Sequence, residues 1–150
     1  MVFIKNRQRK IPVNTQQLAD QVQAMLVTAG YSDFGVSILL TTNRSIRTFN
    51  KLFRGKDKPT DVLSFPYYPK LRPGQRINPR SDEERYLGDI VISLEYALAD
   101  APKTWARPFR DHLVVLIAHG IAHLLGHDHL TEQQLRLMHQ TEQKLLSKIA

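Results

Sequence analysis

Four histidines lie within eleven residues in the C-terminal part of the sequence. Residues 119–129 read His-Gly-Ile-Ala-His-Leu-Leu-Gly-His-Asp-His. His119 and His123 are four residues apart, so on an α-helix their side chains project from the same face, one turn apart. Two imidazoles placed in this way can bind one metal ion at about 2.0–2.1 Å. The spacing therefore predicts a metal centre on a helix.

A third imidazole joins the first two if the chain reverses direction after the helix. Gly126 can adopt the positive φ that ends a helix and turns the chain back, which would return His129 to the same ion. Three neutral imidazoles leave a fourth coordination position for water or substrate, as in catalytic rather than structural zinc sites. Two histidines inside an otherwise apolar helix are also costly unless they are paired or ligated. We therefore predict His119, His123 and His129 as metal ligands.

The spacing of these residues matches the zinc-protease pattern H-E-x-x-H-x-x-G-x-x-H, with one departure. Gly120 stands where that pattern has the glutamate that takes a proton from the zinc-bound water. Glycine cannot accept a proton. A metalloprotease is therefore the weaker alternative, and the general base stays open.

Positive charge is concentrated in the first half of the chain. The formal net charge is +7; residues 1–80 carry 14 Lys and Arg against four Asp and Glu, whereas residues 81–150 carry seven against ten. Clustered cations favour a polyanionic partner such as nucleic acid, because binding releases condensed counterions. The same pattern also fits a solvated surface that keeps a protein soluble. The densest block contains Arg44, Arg47, Lys51, Arg54, Lys56 and Lys58, with Asp57 as its acidic residue.

The composition excludes several classes of protein. A chain of 150 residues that is 42% hydrophobic can build a core of ordinary size, so we expect a single domain spanning residues 1–150 rather than a disordered chain or a rod. Its apolar runs are shorter than the about 18–20 residues that cross a membrane, and the basic residues 1–10 do not resemble a secretory signal. The absence of cysteine excludes disulfides and agrees with a cytoplasmic location.

Hydrophobic periodicity and capping residues predict the elements that must position the histidines. Strands are predicted at residues 2–4, 36–40, 61–65 and 87–93. Helices are predicted between Asn14 and Gly30, at 43–53, at 96–99 with a stop near Pro102, from Pro108 to about Leu125, and from Thr131 to about Lys148. The fourth of these helices is apolar on nearly all sides, so we expect it to be central and buried.

These elements predict one sheet of about four strands covered by helices. The last helix is expected to bury a stripe formed by Leu135, Met138, Leu145 and Leu146. Residues 67–86 contain three prolines and little periodicity, and an irregular connection of that length in a compact domain is often functional.

Three segments of the sequence together resemble the YbeY family. They occur in the family's order, and the similarity extends from about Asn43 to the last helix. The segments are Phe53-Arg54-Gly55-Lys56-Asp57-Lys58-Pro59-Thr60-Asp61-Val62-Leu63-Ser64-Phe65-Pro66, Leu87-Gly88-Asp89-Ile90-Val91-Ile92-Ser93, and the histidine motif from His119-Gly120 through His123-Leu124 and Gly126-His127 to His129.

The resemblance implies a zinc-dependent endoribonuclease that cleaves single-stranded RNA. It also implies a role in maturing the 3′ end of small-subunit ribosomal RNA and in ribosome quality control, with the ribosomal small subunit as partner. The implied fold is α+β, with a mixed four-stranded sheet packed against the histidine helix. Carried over to this sequence, the resemblance implies one Zn²⁺ on His119, His123 and His129, and places Arg54 near the metal cleft as a residue that matters for activity.

These implications lead to hypotheses about individual residues. Arg54 is expected to hold the phosphate and to offset the charge that grows in the transition state; a structural ion pair with Asp57 or Asp61 is the alternative. Asp128 is expected either to orient an imidazole or act as a base, or to cap the turn after the helix. The cations Arg44, Arg47, Lys51 and Lys56 are expected to bind flanking phosphates without reading sequence.

Two further alternatives stay open. His127 either contacts substrate or faces solvent, and the RNA 2′-hydroxyl or zinc hydroxide would make a protein base unnecessary. A non-catalytic RNA- or ribosome-binding protein with a structural zinc is the main competing function.

Overall fold

The sheet is built from four short segments rich in Val, Ile and Leu. The computed structural model describes residues 1–104 and 106–149. β1, β2 and β4 are parallel, and β3 is antiparallel to β4, which confirms the predicted α+β fold with a mixed sheet. The strands are β1 (Val2–Asn6), β2 (Gly35–Thr41), β3 (Val62–Pro66) and β4 (Tyr86–Ser93), in the spatial order β1-β2-β4-β3.

Local side-chain chemistry sets the ends of the helices. The Asn14 side chain accepts a hydrogen bond from the backbone N–H of Gln17 at 3.0 Å, and Thr131 and Gln134 form a capping box. Gly30 ends the first helix with a φ of +82°. The helices within the described residues are α1 (Thr15–Ala29), α2 (Asn43–Arg54), α3 (Leu94–Thr104), α4 (Phe109–Leu124) and α5 (Glu132–Leu146).

α3 is longer than the sequence predicted. It was expected at residues 96–99 with a stop near Pro102, yet it runs from Leu94 to Thr104 with Pro102 inside it. At its start, the Ser93 hydroxyl accepts a hydrogen bond from the backbone N–H of Tyr96 at 3.2 Å, which supports an earlier first turn. A proline removes one helical hydrogen bond, but its φ is helical, and only two residues of the helix follow it.

α4 is the central, buried helix that its apolar sequence predicted. It packs between the sheet and the helices α1, α3 and α5. Gly120 allows the close approach to the sheet, because a Cβ at this position would lie 2.9 Å from Cδ1 of Ile90. Among the described residues, no helix combines the length and the apolar character that crossing a lipid bilayer requires.

The buried face of α5 differs from the predicted apolar stripe. Met138 and Leu145 are buried as expected, but Leu135 is 40% exposed. Between the two buried residues, Glu142 is only 9% exposed and lies on the same face. The sequence pattern did not include Glu142, because a carboxylate does not count as apolar. Its carboxylate lies beside His119 of α4.

The long connection between β3 and β4 is irregular but fixed to the rest of the fold. The Arg76 guanidinium donates to the backbone oxygens of Ala29 and Gly30 and stacks over the Tyr31 ring at 4.3 Å. The backbone N–H of Ile77 donates to the Tyr31 hydroxyl at 3.2 Å. These contacts bind the connection to the C-terminal end of α1, and a single 3₁₀ turn, Asp82–Glu84, lies before β4.

Candidate metal centre and cleft

α4 presents two histidines from one face toward a surface cleft. The Nε2 atoms of His119 and His123 lie 3.2 Å apart. Two ligands of one tetrahedral ion at about 2.0–2.1 Å would be separated by roughly 3.3 Å. The helix therefore holds the two imidazoles at the separation that a shared ion requires.

The chain reversal after α4 is a Schellman motif centred on Gly126. The backbone N–H of His127 donates to the carbonyl of Ala122 at 3.0 Å, and that of Gly126 donates to the carbonyl of His123 at 3.0 Å. Gly126 has a φ of +98°, and a Cβ there would overlap the carbonyl oxygen of Leu71. The turn thus needs glycine for its backbone angle and for the packing of the long connection.

The reversal returns His129 to the other two histidines, as predicted. One ligand atom from each of His119, His123 and His129 lies within 4.8 Å of the others. Three imidazoles without thiolates or carboxylates suit divalent ions such as zinc, copper, iron or nickel. The three residues therefore fit a metal ion and leave a position for a further ligand.

His123 is held in the orientation that ligation requires. Its Nδ1 lies 2.9 Å from the carbonyl oxygen of His127, so Nδ1 carries the proton and Nε2 offers its lone pair to the cluster. Burial lowers the pKa of His123, and the neighbouring His119 lowers it further. The imidazole is therefore neutral at neutral pH, which is the form that binds a metal.

Glu142 is the residue of this site that the sequence did not indicate as functional. Its Oε1 atom lies 3.6 Å from Nδ1 of His119, so the negative carboxylate favours the proton on Nδ1 and frees Nε2. The sequence feature that could have identified Glu142 is its position on the apolar face of α5, between Met138 and Leu145, where an acidic residue is unusual.

His127 and Asp128, two of the five residues between His123 and His129, make contacts that support the turn. The Nε2 atom of His127 lies 2.9 Å from the Thr141 hydroxyl on α5, and burial lowers the pKa of His127. One oxygen of Asp128 accepts a hydrogen bond from the backbone N–H of His129 at 2.8 Å. This bond between neighbouring residues orders the backbone at His129.

Position 120 has no room for the glutamate of a zinc protease. Gly120 is buried against Ile90, and even a single added carbon would be tighter than van der Waals contact allows. A longer acidic side chain would have to enter the contact between α4 and β4. The packing thus opposes the metalloprotease alternative independently of the missing proton acceptor.

The histidines form one wall of a cleft of about 810 Å³, and β3 with the end of α2 forms the other. Arg54 lines the same cleft as all three histidines. Among the described residues Asp57 pairs with Arg47 at 2.8 Å and with Lys51 at 3.9 Å, and not with Arg54. The Arg54–Asp57 pair considered from the sequence is therefore absent from the described structure.

The remaining cations of the basic block lie outside the cleft. Their side chains are exposed to solvent, but none of them is among the described residues that line the cleft. They are Arg44, Arg47, Lys51, Lys56 and Lys58.

Comparison with known proteins identifies the family. The protein-family model described as Endoribonuclease YbeY matches residues 3–150. The chain belongs to this family. Curated YbeY relatives include the Endoribonuclease YbeY of Carboxydothermus hydrogenoformans, 39% identical with 99% of this chain and 97% of the relative covered. The human Endoribonuclease YbeY is 32% identical, with 99% of this chain and 87% of the relative covered.

The fold of this YbeY family member also matches a solved structure. The solution structure of TM1509 from Thermotoga maritima has a TM-score of 0.57 and 21% sequence identity, and the match covers 99% of this chain and 91% of the other. At this identity the likeness supports the fold. The resemblance inferred from three sequence segments is thus confirmed for the family and for the α+β architecture.

Proposed function

We propose that this chain is a metal-dependent endoribonuclease that hydrolyses phosphodiester bonds in single-stranded RNA. The observation that carries the proposal is the cluster of His119, His123 and His129, which shares one open cleft with Arg54. Membership of the Endoribonuclease YbeY family supports the same reaction. The site joins a metal-binding set with a phosphate-binding cation, which is what phosphodiester hydrolysis needs.

The proposed metal is one Zn²⁺ per chain on the three histidines. All three ligands are imidazoles, a type of donor that zinc binds readily in four-coordinate sites with an open position. When bound, such an ion polarises a phosphodiester oxygen and lowers the pKa of a coordinated water. Bound nickel, copper or iron would satisfy the same donors, so metal analysis has to decide the element.

The protein's own groups then orient the substrate. Arg54 is proposed to place its planar guanidinium against the scissile phosphate and to offset the negative charge that grows there. The His127 carbonyl holds the His123 ring, and Glu142 acts on His119 from the other side. In the same proposal Asp128 keeps His129 in place through its hydrogen bond to the His129 backbone. Asp128 is also a secondary candidate for the general base.

The exposed cations are proposed to bind the RNA on either side of the cut. Arg47 and Lys51 share Asp57 in an exposed ion pair, which a phosphate can displace because such pairs contribute little stability. These contacts would increase affinity without selecting a sequence. The residues proposed for this role are Arg44, Arg47, Lys51 and Lys56.

The proposed biological role is the maturation of the 3′ end of small-subunit ribosomal RNA and ribosome quality control. The proposed partner is accordingly the ribosomal small subunit, and the proposed compartment is the cytoplasm. Residues 1–150 are proposed to act as one metallo-hydrolase domain. The support is the family resemblance together with an excess of positive charge over residues 1–80.

Metal analysis combined with a cleavage assay tests the proposal. Purified wild type should contain one zinc per chain and cut a single-stranded RNA, whereas His123→Ala should lose both while keeping its fold by circular dichroism. A chain that binds zinc and RNA but leaves RNA intact would instead be the non-catalytic binding protein. A 2′,3′-cyclic phosphate on early products would assign the nucleophile to the RNA hydroxyl.

A further inference from the structure

The face of the sheet opposite α4 is only partly covered. α2 packs over one end of it, where Ile46, Leu63 and Val91 form a small buried cluster. Toward β1 the sheet is open, and Phe3 is 51% exposed. The open part is a groove of about 1220 Å³ between β1 and α2, which we call the sheet groove; its lining includes Phe3, Lys5, Arg7, Ser37, Phe49, Phe53, Phe65 and Asp89.

Strand register aligns the floor of the sheet groove. Phe3 is paired with Ser37, Ser37 with Asp89, and Asp89 with Phe65, so four residues form one row across all four strands. Neighbouring strands are about 4.8 Å apart, so the row is roughly 14 Å long. An aromatic ring stands at each end of this row.

The aromatic series continues from the sheet onto α2. The rings of Phe65 and Phe53 meet edge to face with centroids 5.1 Å apart, and those of Phe53 and Phe49 are stacked at 6.3 Å. Phe53 is 60% exposed although it is a large apolar side chain. Phe53 and Phe65 line both the sheet groove and the metal cleft, so the two are continuous at this pair.

Charge at the outer end of the sheet groove suits a polyanion. Lys5 and Arg7 are exposed and line the groove near β1. Arg54 lines the metal cleft at the other end of the series. A ligand lying along this route would meet cations at both ends and aromatic faces between them.

We propose that the sheet groove binds the part of a single-stranded RNA that extends from the cleavage site, with bases stacked on Phe3 and Phe53. Proteins bind unpaired RNA by stacking bases on aromatic side chains of an open sheet and by pairing its phosphates with nearby cations. This inference rests on the proposed function, because the RNA that enters the metal cleft is the strand that continues into the groove. Lys5 and Arg7 hold its phosphates.

Asp89 lies in the middle of the row and favours bases that carry an amino group. One of its carboxylate oxygens accepts a hydrogen bond from the Tyr86 hydroxyl at 2.7 Å, and that hydroxyl also lies 2.7 Å from the Ser37 hydroxyl. A carboxylate can accept several hydrogen bonds, and the cytosine amino group is a donor that carboxylates recognise. Uracil offers a carbonyl at the same place, which the carboxylate repels.

Binding of a non-cleavable RNA analogue, with methylene groups in place of both bridging oxygens of each phosphate, tests the groove directly. Anisotropy is measured with the metal-loaded chain and two labelled analogues, one of about 12 nucleotides and one of about four. Phe3→Leu keeps the apolar bulk but removes the ring, and it should weaken binding of the long analogue about tenfold while leaving the short one unchanged. Phe3→Tyr should bind both like wild type.

Variants of the charged residues, and RNA analogues that differ in their nucleobases, complete the test. Arg7→Ala should weaken the long analogue and reduce the slope of log affinity against log salt by about 0.7, whereas Arg136→Ala on α5 should change neither. A cytosine-rich long analogue should bind more tightly than a uracil-rich one, and Asp89→Asn should reduce that preference. Val27→Ala, an exposed apolar change on α1, is the control for Phe3→Leu.

The possible outcomes separate this inference from the proposed function. If wild type cleaves RNA but Phe3→Leu and Arg7→Ala bind the long analogue as tightly as wild type, the groove is not an RNA site. Such a result would favour an apolar protein partner for it. If binding depends on Phe3 but no RNA is cleaved, the groove stands and the nuclease proposal fails. If wild type does not bind the long analogue, the groove proposal fails, and the nuclease proposal stands or falls with RNA cleavage alone.

Discussion

The Nδ1 atom of His119 lies 3.6 Å from the carboxylate of Glu142, a side chain that lies on the buried face of α5. A carboxylate behind a ligating imidazole orients the ring and raises its basicity. The relationship explains why an acidic residue is buried on α5. It also gives the final helix a part in the candidate metal centre.

Removing this carboxylate should weaken metal binding more than it weakens the fold. Glu142→Ala is expected to lower the affinity for Zn²⁺ about 10- to 100-fold, the usual effect of losing such a partner. Glu142→Gln keeps an oxygen acceptor and should lose less. Competition against a chelating dye measures the affinity, and the exposed Glu132→Gln on the same helix is the control. Equal affinities for wild type and Glu142→Ala would show that the contact does not support His119.

Replacing Gly126 should disrupt the reversal that delivers His129. Gly126→Ala is expected to cost more than the about 1–2 kcal/mol of a left-handed backbone alone, because its Cβ also meets the Leu71 carbonyl. Gly74→Ala is the matched control: its φ is +81°, but no atom lies within 4 Å of the added carbon. Denaturant unfolding compares the two variants. A Gly126→Ala variant no less stable than Gly74→Ala would contradict the packing argument.

Restoring the protease glutamate should not create a protease. Gly120→Glu places a carboxylate against Ile90 in the contact between α4 and β4, so we expect a large loss of stability from overpacking and from burying a charge. Gly120→Ala should cost about 1–3 kcal/mol. Thermal unfolding and a casein-cleavage assay check both parts. A stable, proteolytic Gly120→Glu chain would overturn this account of position 120.

Arg54 and Lys56 should affect RNA cleavage in different ways. Arg54→Ala is expected to lower kcat about 10²- to 10³-fold without changing zinc content, because it removes a donor to charge that develops in the transition state. Lys56→Ala should mainly reduce the salt dependence of RNA binding, with a slope change of about 0.7. Single-turnover kinetics at several salt concentrations separate these effects. An unchanged rate for Arg54→Ala with zinc bound would remove its proposed role.

His112 should make the fold less stable in acid. This residue of α4 is buried, and burial is the largest cause that lowers its pKa; Arg107 lowers the pKa further, while Asp100 and Asp61 raise it by less than burial lowers it. Because the unfolded chain then binds a proton that the folded chain resists, the free energy of unfolding should decrease as pH falls below about 6.5, by up to about 1.4 kcal/mol per pH unit for one proton.

The variant His112→Gln isolates this contribution. Wild type and variant are unfolded by urea in the metal-free form at a series of pH values, so that the other histidines contribute equally to both. The difference between their unfolding free energies should change with pH below about 6.5 and be constant above pH 7. A difference that stays constant throughout would mean that His112 has the same pKa in the folded and unfolded chain.

Much of the geometry of the histidine cluster followed from local sequence. The spacing of His119 and His123 on a helix fixes their common face, and Gly126 is the residue that can reverse the chain through a positive φ. Both depend on backbone geometry over a few residues, which neighbouring residue types decide. The same holds for the caps at Asn14 and Thr131 and for the strand segments, which repeat short apolar patterns.

Only the tertiary structure decided which distant groups meet the histidines. Glu142 on α5 lies beside His119, and Leu71 in the long connection packs against Gly126 in the turn that follows α4, so both contacts depend on how α5 and the connection pack around α4. The row from Phe3 to Phe65 likewise depends on strand order and register. These are set by pairing between strands that are not consecutive in the sequence, such as β2 and β4. Sequence patterns report which face of an element is apolar, whereas the partner of that face is chosen by the packing of the whole chain.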